Sequence, residues 1–330
     1  MIHQDQDTPG HDASGDALPR LGISSCLLGE EVRFNGGHVR NQFLINALGP
    51  WVDWGMVFTE VGYGLGVPRY NLRLIGESSS PRLVMPGSGE DPTEGMSPWS
   101  RRRLEELREL DLDGFVLKTD SPSCGPFRVK VYDHNTVPSR TGRGLFAAEL
   151  AEAMPLLPFE DEGRLNDPHL RENFVERIFA HRRWRELAAD PSPGALVEFH
   201  RRHKLTLMAH SPQGQRQLGR LVAEAGAEEI GPLLERYGAE LMRLLRQVVK
   251  RRGHTNVLHH VMGYLKRRLD ADDKQELVEL IEEYRLGRLP LIVPVTLLKH
   301  HLRREPVNDW ITDQVYLNPY PSELMLRNHL

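Results

Sequence analysis

Between Leu21 and Asp120 the sequence alternates short apolar runs with stretches of helical character, and this alternation restricts the fold more than any other feature. LGISSCLL (21–28) reads as a buried strand stopped by Gly29, and VRNQFLINALG (39–49) as a helix closed by Gly49. WGMVFTEV (54–61) is a second strand and LRLIGE (72–77) a third. SPWSRRRLEELRELD (97–111) opens on a Ser-Pro cap signal and carries Leu104, Leu107 and Leu110 at helical spacing, before GFVLKTD (114–120) returns to strand. Apolar strands separated by helices predict an α/β fold, a mostly parallel sheet covered by helices. In such sheets functional residues gather on loops at the carboxyl ends of strands. Cys26, Thr59–Glu60 and Asp120–Cys124 all fall at such ends.

A proline-rich seam, MPLLPFEDEGRLNDP (154–168), changes the pattern. Beyond it the chain reads as successive helices through YRLG (284–287), without a fixed-period repeat, which predicts a compact all-α domain. The expected division is a disordered tail over 1–19, an α/β domain over 20–160 and a helical domain over 161–330. Charge follows the same division: the first 160 residues carry a net −7, the remainder +3, and 11 of the 15 histidines lie in the second part. A basic, histidine-rich half is compatible with a nucleic-acid partner, although a solvated helical surface has the same composition. In HRRWR (181–185) and HRRHK (200–204), Arg201, Arg202 and Lys204 are candidate phosphate contacts and Trp184 a candidate base-stacking residue. His259 and His260 are adjacent on a helix and point to different faces, which disfavours a shared metal ion.

Two cysteines do not make a disulfide framework and imply a reducing, cytoplasmic compartment. The acidic N-terminal stretch lacks the basic and apolar regions of a signal peptide. No apolar run approaches the roughly 20 residues of a membrane helix; the longest, Leu289–Leu298, is interrupted by Pro290 and Pro294. Cys26 (SSCLLG) and Cys124 (SPSCG) occupy equivalent places, each at a strand end among small polar residues. A pair of thiols over a sheet suits an iron–sulfur cluster, a zinc site or a redox pair, and equally suits two buried thiols that pack as small hydrophobes. VRFNGGH (32–38) offers Arg33, and GYGLGVPRYNLR (62–73) offers Arg69, for a phosphate or a base edge. Glu60 is a candidate acid or base; Ser121 and Ser123 are candidate hydrogen-bonding groups.

SSCLLGEEVRFNGGHVRN, TEVGYGLGVPR, LKTDSPSCG and KVYD resemble the TudS-type (DUF523) thiouracil desulfidase domain. LVEFHRRHKLTLMAHSP, HTNVLHHVMGYLKRRL, YRLGRLPLIVPVTLL and QVYLNPYPSELMLRNH resemble the YbgA-type (DUF1722) domain. Together they look like the two-domain tRNA 4-thiouridine desulfidases. The resemblance implies a [4Fe-4S] cluster on three cysteines with one iron open to the thiocarbonyl sulfur, and tRNA or a thiolated nucleoside as partner. Cys26 and Cys124 become cluster ligands, and Glu60, Ser121 and Ser123 become catalytic candidates. The middle ligand is expected in a Cys-Pro-Glu-Val stretch, where this chain reads Phe58-Thr59-Glu60-Val61. That departure opens a different expectation, a cluster-less homologue that binds tRNA or thionucleotides without catalysis.

Overall fold

The computed structural model describes residues 18–133 and 135–330, and the chain divides into two compact units that meet between Asn166 and Asp167. Most of the tail expected over 1–19 lies outside the described residues. The first unit holds strands β1 (Arg20–Ser24), β2 (Asp53–Val57), β3 (Arg73–Ile75), β4 (Arg82–Val84), β5 (Gly114–Leu117), β6 (Val129–Tyr132), β7 (Pro138–Gly142) and β8 (Phe159–Asp161). Its helices are α1 (Thr59–Tyr63), α2 (Thr93–Arg108) and α3 (Leu145–Ala153). β1, β2, β5 and β8 form an all-parallel sheet in the order β2-β1-β5-β8. The remaining four make a second, mixed sheet in the order β4-β3-β6-β7.

The parallel sheet follows from its residues. β5 (GFVL) is buried at every position and the last four residues of β1 are buried, the pattern of strands covered on both faces. Leu104 and Leu107 of α2 and Phe146 and Leu150 of α3 pack with Phe115 and Leu117 of β5 into one apolar cluster. Gly22 is what lets β1 lie so close to β5: a Cβ there would fall 2.3 Å from the Phe115 ring.

Several local expectations are corrected. The second strand stops at Val57, because Thr59, Glu60 and Val61 begin α1, which a left-handed Gly64 closes. LRLIGE supplies β3, but in the second sheet. VRNQFLINALG gives only a π-helical turn over Phe43–Leu48, and Gly49 continues into a 3₁₀ turn rather than closing a helix. α2 starts at Thr93 and contains Pro98, so the Ser-Pro pair sits within its first turns instead of capping it. β8 runs inside the proline-rich seam, so the first part of that seam still belongs to the sheet.

The second unit consists of α4 (Pro168–Ala189), α5 (Pro193–His210), α6 (Pro212–Ala223), α7 (Ile230–Leu245), α8 (Arg251–Leu265), α9 (Ala271–Arg285), α10 (Ile292–Arg304) and α11 (Asp309–Thr312), followed by 3₁₀ turns to the C-terminus. Asp167, Ser192 and Ser211 cap α4, α5 and α6, each followed by a proline at the first helical position. α8, α9 and α10 enclose a core that includes Val257, Leu277, Leu298 and Tyr316. No helix among the described residues is long and apolar enough to cross a membrane.

Gly22→Ala tests the close packing of β1 on β5. The added methyl forces Phe115 out of its position and is expected to cost about 1–3 kcal/mol, read as a lower denaturant midpoint at unchanged slope.

Candidate functional site

The carboxyl ends of β1, β2 and β5 open into a cavity of about 330 Å³ whose lining includes Cys26, Glu60, Arg69, Lys118, Ser121 and Cys124. The fold brings these groups together because three parallel strands end at one edge. Ser24, the last residue of β1, then ties two of those ends side by side. Its hydroxyl donates to Cys124 Sγ at 3.4 Å and accepts from the Lys118 amide at 3.2 Å.

The loop 118–125 is fixed by backbone contacts. The Gly125 amide donates to Ser121 O at 2.8 Å, and the Phe146 amide at the start of α3 donates to Ser123 O at 2.8 Å. Gly144 packs so tightly here that a Cβ would lie 2.5 Å from the Ser123 backbone. Within this frame Ser123 is fully buried and its hydroxyl donates to Glu60 Oε1 at 2.5 Å. Ser121 Oγ lies 2.9 Å from Ser123 Oγ and accepts from the Cys124 amide at 3.2 Å. A carboxylate bonded to a hydroxyl pair is a ready path for a proton.

Arg69 stands on the other side of Glu60, with Nη2 at 3.8 Å from Oε2. Its Nη1 donates to the carbonyls of Val32 and Gly66, while the buried Nε has no hydrogen-bond partner among the described residues. Arg33 also lines the cavity. Three contributors were not legible as site residues: Ser24, Lys118 and Glu162. Glu162 follows β8, accepts from Lys118 Nζ at 2.5 Å and from the Thr119 amide at 2.7 Å, and so holds the base of the loop. Ser24 and Lys118 adjoin the cysteine motifs, but only the β1–β5 register reveals what they touch. Nothing local in the sequence signals Glu162.

Both thiols are buried. Burial, then the nearby Cys124 and Glu60, push the Cys26 thiol up to about 12. Cys124 is also raised, by burial and by Glu60, against hydrogen bonds from Ser121 and Ser24 that favour its thiolate. Both are therefore protonated near neutral pH. A [4Fe-4S] cluster held by three thiolates does not fit this donor set. The chain offers two thiols, the third position is Phe58, and its ring lines the cavity without a lone pair to give. Among the described residues no group of three or more His, Cys, Asp and Glu side chains is placed to hold a metal ion.

The candidate RNA contacts lie on α4 and α5. Arg202 and Lys204 are exposed, and Lys204 lies over the Trp310 ring at 5.7 Å, with Tyr264 stacked on the same ring at 5.2 Å. Arg201 is engaged by two carboxylates, Glu198 at 2.6 Å and Asp313 at 2.8 Å. Trp184 is not a surface stacking residue: it is 5% exposed and stacked on Tyr237 in the core. The alternation of arginine with tryptophan in HRRWR reflects a helix that buries one face, so the ring points inward.

A sequence profile described as 2-thiouracil desulfurase matches residues 21–162, and the DUF1722 profile, a protein family of unknown function, matches residues 204–321. Uncharacterized protein YbgA of Escherichia coli (strain K12) is 35% identical over 154 residues, 46% of this chain and 90% of that protein. Uncharacterized protein YbbK of Bacillus subtilis (strain 168) is 32% identical over 151 residues, 44% of this chain and 97% of that protein. A solved structure, a [4Fe-4S]-dependent thiouracil desulfidase TudS, shares 25% identity at a TM-score of 0.36 over 45% of this chain and 93% of its own.

Thiol titration can be checked by alkylation with a small reagent, resolved by peptide mass spectrometry. At pH 8 a thiol with a pKa near 12 presents about three orders of magnitude less thiolate than an ordinary cysteine. The Cys26 rate is expected to rise about tenfold per pH unit through pH 10; a plateau near pH 9 would contradict its protonated state. The sign for stability follows. Unfolding releases the Cys26 thiol to ionise near 8.5, so its contribution is complete below that pH and is lost as pH rises towards 12.

Proposed function

The chain belongs to the 2-thiouracil desulfurase family through residues 21–162 and to the DUF1722 family through residues 204–321, and on that premise we propose that it is a desulfidase whose substrate is thiolated uracil, carried as 4-thiouridine in tRNA. One observation carries the reading. Glu60 and Ser121 line one cavity with the two thiols at the end of the parallel sheet, and the buried Ser123 hydroxyl behind them links Glu60 to Ser121 by hydrogen bonds. The exposed Arg202 and Lys204, with Trp310 and Tyr264, support RNA as the carrier.

The net reaction exchanges sulfur for oxygen without a change of oxidation state. Water adds to the thiocarbonyl carbon, the C–S bond breaks, and sulfur leaves as hydrosulfide while the added hydroxyl loses its proton to solvent and becomes the carbonyl. Glu60, held in orientation by the Ser123 hydroxyl, takes a proton from the attacking water. The proton returns to the departing sulfur through Glu60 or the serine pair. The protonated thiols of Cys26 and Cys124 place weak S–H donors and soft sulfur around the thiocarbonyl. Arg69 and Lys118 set positive charge at the rim where negative charge develops.

Phe58 favours a second reading, a cluster-less homologue that binds thionucleotides or tRNA without turnover. One experiment separates the two. Anaerobically purified chain is incubated with 2-thiouracil, 4-thiouridine and 4-thiouridine-containing tRNA, and sulfide and the oxygenated product are quantified. The desulfidase reading expects stoichiometric sulfide, and a fall in rate of about 10²-fold or more in Glu60→Gln. Binding with no sulfide from any of the three selects the second reading. Iron and acid-labile sulfide are measured in parallel on Phe58→Cys after anaerobic reconstitution. A gain of both over the parent chain is expected if the missing thiolate is what excludes a cluster, and no gain removes that explanation.

A further inference from the structure

The helical half contains a second, chemically different cavity. It measures about 150 Å³ and lies between α10 and the 3₁₀ turns that follow α11. Its position follows from helical spacing: Ile292, Val295, Thr296, Lys299 and Arg303 recur every three or four residues and present one face of α10. The facing turns contribute Asn318, Ser322, Arg327 and Asn328. Lys299, Arg303 and Arg327 are its three cations, and no Asp or Glu is among its lining residues.

Arg327 is the decisive group. It is only 5% exposed, its Nη1 donates to the Tyr316 carbonyl at 2.7 Å, and its Nε and Nη2 have no hydrogen-bond partner among the described residues. A buried guanidinium with unused donors is costly unless something accepts from it. The carboxylate behind it, Glu172 Oε1, is 3.7 Å from Nε, outside good hydrogen-bond distance, and already accepts from Tyr320 Oη at 2.9 Å. Burial and the neighbouring Glu176 also push the Glu172 carboxyl above the usual carboxylate range, so its negative charge is held back. Lys299 is depressed first by burial and then by the like charges of Arg303 and Arg327. Its Nζ donates to Asn318 Oδ1 at 2.6 Å, which fixes it at the rim.

The geometry points to an oxyanion site for a phosphate group, held by Arg327 at the floor and by Lys299 and Arg303 at the mouth. A tetrahedral, multiply charged oxyanion matches a guanidinium whose Nη2 has no hydrogen-bond partner among the described residues, together with a second arginine and a lysine. Cavities that bury a whole small ligand typically run to roughly 300–1,000 Å³, so this one suits a phosphate group alone, free or at the end or within the backbone of a polynucleotide. The inference does not depend on desulfidase chemistry, since it concerns a different unit and its readout is binding.

Arg327 is buried, and its replacement could unfold the tail, so the test uses Lys299→Gln/Arg303→Gln in the full chain. Parent and variant are titrated with inorganic phosphate and with one RNA sequence carrying either a 5′-phosphate or a 5′-hydroxyl. The parent is expected to bind at least one of these probes, and the variant to bind it at least about tenfold more weakly. With RNA, its slope of log affinity against log salt is expected to fall by about one, the value for a single phosphate contact. Preference for the 5′-phosphorylated RNA identifies a terminal phosphate, equal loss with both RNAs an internal phosphodiester, and loss confined to inorganic phosphate a free anion; each supports the site. No binding of any probe by the parent, or equal affinities in parent and variant, overturns it.

Discussion

Everything at the candidate site hangs from the parallel pairing of β1 with β5. That register sets Ile23 opposite Val116 and carries the chain onward so that the Ser24 hydroxyl meets both the Lys118 amide and the Cys124 sulfur. Two thiols almost a hundred residues apart are thereby brought to one cavity. The loops themselves add little regular structure. They are held instead by the first amides of α3 and by glycines at which a side chain has no room. The sheet is therefore the positioning device, and the loops are the chemistry it positions.

Electrostatics then limits what that chemistry is. In a largely buried setting beside Glu60, thiolates are unfavourable, and both cysteines stay protonated. A soft metal centre could displace those protons, because ligation and deprotonation are coupled. With a benzyl ring in place of a third thiol, however, the cavity supplies too few ligands to close a [4Fe-4S] core. The carboxylate–hydroxyl chain does not depend on that third position. Glu60 follows Phe58 by two residues yet lies on the first turn of α1, so the loss of a ligand leaves the proton-handling groups in place.

Much of this was legible in the sequence, and the gaps have physical causes. Strands β1 and β5 announce themselves because burial on both faces demands continuous apolar runs, whereas β2, at the sheet edge, is mostly half-buried. Cys26, Glu60, Ser121 and Cys124 stand out because strand ends in a parallel sheet converge, Arg69 because it follows a glycine-rich loop, and the structure brings all five to one cavity. Glu162 was invisible since its role arises only from the pairing of β8 with β5, a tertiary contact without local pattern. Trp184 was misread because a basic run describes one face of a helix and hides the other. The oxyanion cavity was missed because Arg327 lies in a run of turns, where no periodicity marks a buried cation.

The role of Glu162 bears on how the two halves can be separated. A cut at residue 160, where the proline-rich seam alone would place it, removes the carboxylate that grips Lys118 and the Thr119 amide. It also shortens β8, the edge of the parallel sheet. An isolated α/β half must therefore run to Asn166 to keep its cysteine loop in shape. The last residues before the helices serve the cysteine loop, not merely the passage from one unit to the next.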